Sequence, residues 1–398
     1  MKHLLAIIFS YFTIVGFAQQ PKSEILFKLQ GHSDDLECMA VSENGKIIAS
    51  GSWDGMVNLF TNDSFYTPIS SLLDHYSAVN CISITPNAKV IATGGTDGKV
   101  FTYLIDSFGS VIKDKTIFIH RMSVNSIVID PSGKLLFTGS NDGTISYYDI
   151  YKAKDKKINN TNPVSCIAVS RDRRSIYCSD NTNIIKKYDI TGKLIGTYEG
   201  HLDQVNYIAL SRDNKKLISA SSDKTVKVWN TETRKLEKTL TGHDWKVISV
   251  AISLNGKYAV SGSNDGSIIV WDIDEQKIIK LIENIGTNAR GVAFSNDNTK
   301  IFATLNYQPD SFETKGILVF KSGIEIQKKE PPKIQIKQKT PNGVKPNAPK
   351  QNGKPNPTSP PIEKSDTAKK IIKKTSEIEI SEDKKKAPTP KKDDNRQD

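Results

Sequence analysis

Apolar and polar residues alternate along this chain in short runs separated by turn residues. Ile208-Ala209-Leu210 and Val226-Lys227-Val228-Trp229 are typical runs, rich in β-branched and aromatic side chains. Asn44-Gly45, Pro131-Ser132-Gly133 and Asn255-Gly256 are typical breaks. No stretch sustains a helical period, so the pattern predicts an all-β protein built from many short strands. The pattern also repeats. The stretch from Gly200 to Asn230 opens on Gly-His, passes through two apolar runs, turns at a Ser-x-Asp and closes on Val-Trp. The stretch from Gly242 to Asp272 does the same 42 residues later.

Sliding this template along the chain places its His at His32, His75, His120, His201 and His243, with Asn160 in the fourth position. The spacings are 43, 45, 40, 41 and 42. The closing aromatic falls at Phe60, Tyr103, Tyr148, Tyr188, Trp229 and Trp271. A seventh, divergent copy begins near Ile285. It lacks the His and carries a longer middle loop, Asn306 to Lys315. A period of this length with Gly-His at one end and Trp-Asp at the other resembles the WD40 family. The resemblance covers residues 23–323 and implies a seven-bladed β-propeller, each repeat supplying a four-stranded blade. Ile25 to Leu29 matches the outer strand that leads into the sixth copy. It is therefore expected to close the ring as the outer strand of blade 7, with Ile324-Glu325-Ile326-Gln327 as its rival.

His, Ser or Thr, and Asp recur at fixed positions. The sets are His32, Ser50 and Asp54; His75, Thr93 and Asp97; His120, Thr138 and Asp142; His201, Ser219 and Asp223; and His243, Ser261 and Asp265. One such set contains the ingredients of a nucleophilic triad. Five around a ring do not, because an enzyme needs one activated Ser in one cleft. The resemblance implies a structural network instead: Asp orients His, His meets the hydroxyl, and the hydroxyl meets the indole of Trp229 or Trp271. Blades 1–3 lack that indole. In blade 4 the column reads Asn160, Cys178 and Thr182, so the network should be absent there. No catalytic residue, metal-ligand spacing or cofactor motif stands out.

Cys166 and Cys178 fall opposite each other if the hairpin turns symmetrically between Ser170 and Arg174. That register would permit a disulfide in an oxidising compartment; two buried thiols are the alternative. Trp53 and Trp245 occupy turn positions where other copies place Thr96, Asn141, Ser222 and Asn264, and Asp34, Ser77, Met122 and Asp203, respectively. The resemblance puts both on one end of the propeller, together with Tyr307 and Phe312 of the long blade-7 loop. These four are the candidate partner-binding residues.

Charge adds a second segment. The 398 residues carry a net charge of +11. From Lys328 to Asp398 there are 19 Lys and Arg against 10 Asp and Glu, with eleven of the seventeen prolines. Such a tail is expected to be disordered. It is read as a spacer or as a binder of an anionic polymer or surface. With no interleaved aromatics, nucleic acid is not expected. Lys2 and His3 precede an apolar run from Leu4 to Phe17, and Gly16-Phe17-Ala18 supplies a cleavage pattern. Residues 1–18 thus read as a signal peptide. No later run approaches the roughly 20 apolar residues of a membrane span. The expectation is an exported, monomeric, non-catalytic scaffold that binds a protein or peptide. The alternatives are a surface-attachment protein acting through its tail and a hydrolase with a site in the channel.

Overall fold

The structure is a computed structural model that describes residues 25–107, 109–283, 288–306 and 315–325. The expected signal peptide (1–18) and the basic tail (328–398) lie outside the described residues. The described residues form 28 strands in seven antiparallel sheets of four strands each. Blade 1 is representative: Leu36–Val41 is innermost, followed by Ile47–Ser52, Val57–Thr61 and Pro68–Leu72. Its second strand is buried throughout, whereas its outermost strand is not.

Seven apolar cores sit between neighbouring blades. Between blades 5 and 6, for example, Ile218, Val226 and Val228 meet Val247, Ile269 and Trp271. Burying each such side chain contributes about 1.5–3 kcal/mol. Close approach depends on glycine at the end of the second strand. A Cβ on Gly94 would lie 2.7 Å from Val124 of the next blade, and one on Gly139 would lie 2.4 Å from Val164.

The N-terminal strand closes the ring. Ile25–His32 pairs antiparallel with Lys315–Lys321, with Leu29 opposite Ile317. The seventh sheet thus draws strands from both ends of the domain. Leu29, Ile317, Val319 and Phe302 then share a core with Leu36, Ile48 and Phe60 of blade 1. The N-terminal strand also covers the strand edge that blade 7 would otherwise leave open. Its rival does not take this place: Ile324 packs on the core between blades 6 and 7.

In each of blades 1–6 the innermost pair of strands carries a bulge after its first residue. In blade 4 the register shifts between Val164 and Cys166. The turn runs from Ser170 to Ser175, and Cys166 faces Ser179 while Ile167 faces Cys178. The expected pairing of Cys166 with Cys178 is therefore corrected by one residue. Because strand side chains alternate, one position moves a side chain to the other face of the sheet. Cys166 enters the core shared with blade 5 and Cys178 the core shared with blade 3. All four cysteines are free thiols.

Candidate interaction face

The His-bearing turns and the turns between the second and third strands gather at one end of the propeller. In blade 1, His32 Nδ1–H donates to Asp54 (3.0 Å), and Nε2 accepts the Ser50 hydroxyl (2.9 Å). Asp54 also accepts the backbone amides of Ser33 and Met56, so one carboxylate ties two turns together. Blade 2 repeats this with His75, Asp97 (3.1 Å) and Thr93 (2.9 Å). Blade 3 uses His120, Asp142 (3.1 Å) and Thr138 (2.7 Å). In blade 5, His201 meets Asp223 and Ser219, both at 2.7 Å, and the Trp229 indole donates to Ser219 (2.8 Å). Burial alone would raise the Asp142 carboxyl. Hydrogen bonds from Thr144, Arg121 and His120 outweigh it and hold the group at about 2. These groups saturate one another inside the blades, so the arrangement holds turns rather than activating a nucleophile.

Two blades depart from the expected sets. In blade 6, His243 Nδ1 meets the Ser267 hydroxyl (2.9 Å), and Asp265 instead accepts the Ser267 amide (2.8 Å). Ser261 still links His243 (2.7 Å) to the Trp271 indole (2.8 Å). Blade 4 carries a substitute network where none was expected. Asn160 donates to Asp180 (3.0 Å) and accepts from the Tyr188 hydroxyl (2.8 Å). Lys186 reaches Asp180 (2.8 Å) and Asn160 (3.2 Å). The acid sits at position 180, two residues before the repeating column, where Thr182 stands.

The bulge residues form a ring at the channel mouth on this end: Glu37, Asn80, Asn125, Ser165, Asn206 and Ile248, with Arg290 completing it from blade 7. Asn80, Asn125 and Asn206 each donate to a backbone carbonyl of the next blade, at 2.8–3.1 Å. Each also meets a polar turn residue of its own blade: Thr96, Asn141 or Ser222. Blade 1 breaks this rule twice. Glu37 replaces the Asn, and Trp53 replaces the small turn residue. The Trp53 indole donates to Glu37 (2.9 Å), whose other oxygen pairs with Arg290 (2.8 Å). Trp53 is thereby held upright at the rim and is 55% exposed; Trp245 is 60% exposed. Tyr307 and Phe312 lie outside the described residues.

Sequence reading missed other members of this face. Among the described residues, ten large apolar side chains are more than half exposed. Seven of them, Trp53, Leu73, Tyr76, Phe118, Met122, Leu202 and Trp245, sit on this end. Tyr76 and Leu202 follow their histidines directly, a position where Ser33 and Arg121 stand in other blades. That column, compared across copies, held the signal. Lys99 lies over the Tyr76 ring at 4.5 Å.

Comparison with known proteins agrees with this architecture. The family model for the WD domain, G-beta repeat, matches residues 23–61, 66–103, 113–149, 192–230 and 234–272. The matches take in blades 1, 2, 3, 5 and 6 and leave out blade 4, whose network is replaced, and blade 7, whose copy lacks the His. The chain is 26% identical over 94 residues to a bromodomain and WD repeat-containing protein of Dictyostelium discoideum, and 31% identical over 77 residues to the ribosome biogenesis protein YTM1 of Candida glabrata. Those segments cover 23% and 19% of this chain but only 4% and 16% of the relatives, so the likeness takes in a small part of each protein. Seven closed four-stranded blades, the recurring His–hydroxyl–indole links and five matched repeats together establish that the chain is a WD40-repeat β-propeller protein.

Proposed function

We propose that this protein is a non-catalytic scaffold that captures a protein or peptide on the histidine-bearing end of its propeller, outside the cytoplasm. WD40 propellers generally serve as protein-interaction scaffolds. The observation that carries the choice of face is its concentration of exposed apolar side chains, with Trp53 at a position that other blades fill with small or polar residues and Trp245 at one that holds Asp34, Ser77, Met122 and Asp203 elsewhere. Exposed aromatics on a rigid frame supply contact area at little entropic cost and are frequent binding anchors. The Glu37–Arg290 pair fixes one of them in advance, so less ordering remains for the binding step.

Replacing both Trp53 and Trp245 with Ala tests the face. Recovery of the partner should fall at least tenfold while the melting temperature stays within a few degrees. Undiminished recovery would remove these residues from the binding site. The exported setting, periplasmic or secreted, rests on residues 1–18, and it predicts a mature chain beginning at Gln19. Intact-mass measurement of the native protein checks this, and a retained Met1 in the envelope or cytosolic fraction would contradict it. Attachment through the basic tail is the competing reading. It predicts that truncation at Lys328 abolishes surface retention while leaving the propeller folded.

A further inference from the structure

The opposite end of the channel is built differently. The turns between the first and second strands place Glu43, Pro86, Pro131, Arg171, Arg212 and Leu254 around its mouth. Glu43 belongs to blade 1, while Arg171 and Arg212 belong to blades 4 and 5, across a ring of seven. The Glu43 carboxylate nevertheless pairs with Arg171, and the Arg212 guanidinium lies 3.9 Å away. One acid therefore crosses the mouth to serve two cations. The Arg171 backbone amide donates to Asn214 (3.0 Å), which ties the blade 4 turn to the blade 5 turn. Arg173 is held at 3.5 Å from Asp130 on the same rim. Burial and the neighbouring Arg212 both work against the charge on Arg171. Beneath this strap lies a cavity of about 390 Å³. Ile129, Ile167, Val169, Leu210 and Ile252 line its walls, and Tyr207 stands at its inner end, where the cavity of the other mouth also reaches.

We propose that this mouth binds a small organic acid: the ligand's carboxylate takes the place of Glu43 between Arg171 and Arg212, and its apolar body enters the cavity. Guanidinium groups match carboxylates in geometry and charge, and two on adjacent rigid turns are arranged in advance. The cavity volume falls in the range of small-molecule sites, and its lining mixes apolar side chains with hydroxyl, carboxylate and guanidinium groups that fix a ligand's orientation. Glu43 is then a built-in competitor. A protein whose receptive form is only fractionally populated binds more weakly by that fraction. Removing the competitor should strengthen binding.

The site lies at the other end of the propeller from the proposed partner face, so the two proposals fail separately. The test is calorimetric titration of the full-length protein with octanoate and with octanamide, its neutral isostere. Glu43→Gln should bind octanoate at least tenfold more tightly than the wild type does and should gain nothing for octanamide. Adding Arg171→Gln to Glu43→Gln should lose at least tenfold of that octanoate affinity, with octanamide unaffected. Melting curves confirm folding. Should Arg171→Gln unfold, Arg212→Gln in the same background carries the same expectation. Equal binding of acid and amide by Glu43→Gln, no gain over wild type, or indifference to loss of the guanidinium would each overturn the proposal.

Discussion

His32, His75, His120 and His243 of the repeating column are buried, and burial disfavours their charged form. It lowers His32, His75 and His120 even against the opposing pull of their aspartates. His243 falls furthest, to about 4, because its Nδ1 faces the Ser267 hydroxyl rather than a carboxylate. The unfolded chain has the ordinary value of 6.5 and binds a proton that the folded chain refuses between that pH and about 4. Stability from this site is therefore complete above pH 6.5 and is lost as pH falls through the window. The loss ends once folded His243 also titrates. The change is on the order of 3 kcal/mol. Urea midpoints taken from pH 7 to pH 4 should fall less steeply in His243→Asn than in the wild type; parallel curves would contradict this. The cysteines give a second check at this scale. With Cys166 and Cys178 on opposite faces of their sheet, thiol titration of the denatured, unreduced protein should find four free groups. Two would restore the disulfide.

At the scale of the element, strands and turns were legible because alternation and Gly, Asn and Pro signals act locally. The closing strand was legible for the same reason, since Ile25 to Leu29 matches an outer strand elsewhere in the chain. The bulges were not. A bulge is a feature of two paired strands, and nothing in one strand's sequence distinguishes the residue that is left over. Missing it misplaced the cysteine pairing by one residue and hid the ring from Glu37 to Arg290. The blade 4 network escaped for a related reason: its acid, Asp180, and its base, Lys186, stand outside the repeating column. Asp180 is almost wholly buried, so Lys186→Met should leave its charge without a cation, held by hydrogen bonds from Asn160 and Thr182, and cost about 3–5 kcal/mol in chemical denaturation. A loss below 1 kcal/mol would mean that Asn160 and Thr182 suffice. Closure has its own weak point at Gly316, where a Cβ would lie 1.9 Å from the Leu29 carbonyl oxygen. Gly316→Ala should separate the N-terminal strand from blade 7, lower the melting temperature by several degrees and expose the segment before His32 to protease. An unchanged protease pattern would show that closure does not depend on that contact.

The described residues form a ring whose two ends differ in chemistry. The repeat itself carries no such difference, since the residues that recur in every blade hold turns and fill the cores. The candidate site consists of departures from the repeat: Trp53 with Glu37 and Arg290, Trp245, Tyr76 and Leu202 at one end, and Glu43 with Arg171 and Arg212 at the other. Trp53 and Trp245 were visible in the sequence because no other copy places an aromatic side chain at either position. Glu43 and the two arginines were not, because their meeting depends on ring closure bringing blade 1 across from blades 4 and 5. Hydroxyl-radical footprinting of the protein with its captured partner, read residue by residue by mass spectrometry, tests the central claim most directly. Trp53, Tyr76, Leu202 and Trp245 should lose reactivity on binding while Phe65 and Tyr151, exposed away from that face, keep theirs. Protection of Phe65 and Tyr151 with the two tryptophans still reactive would contradict the account.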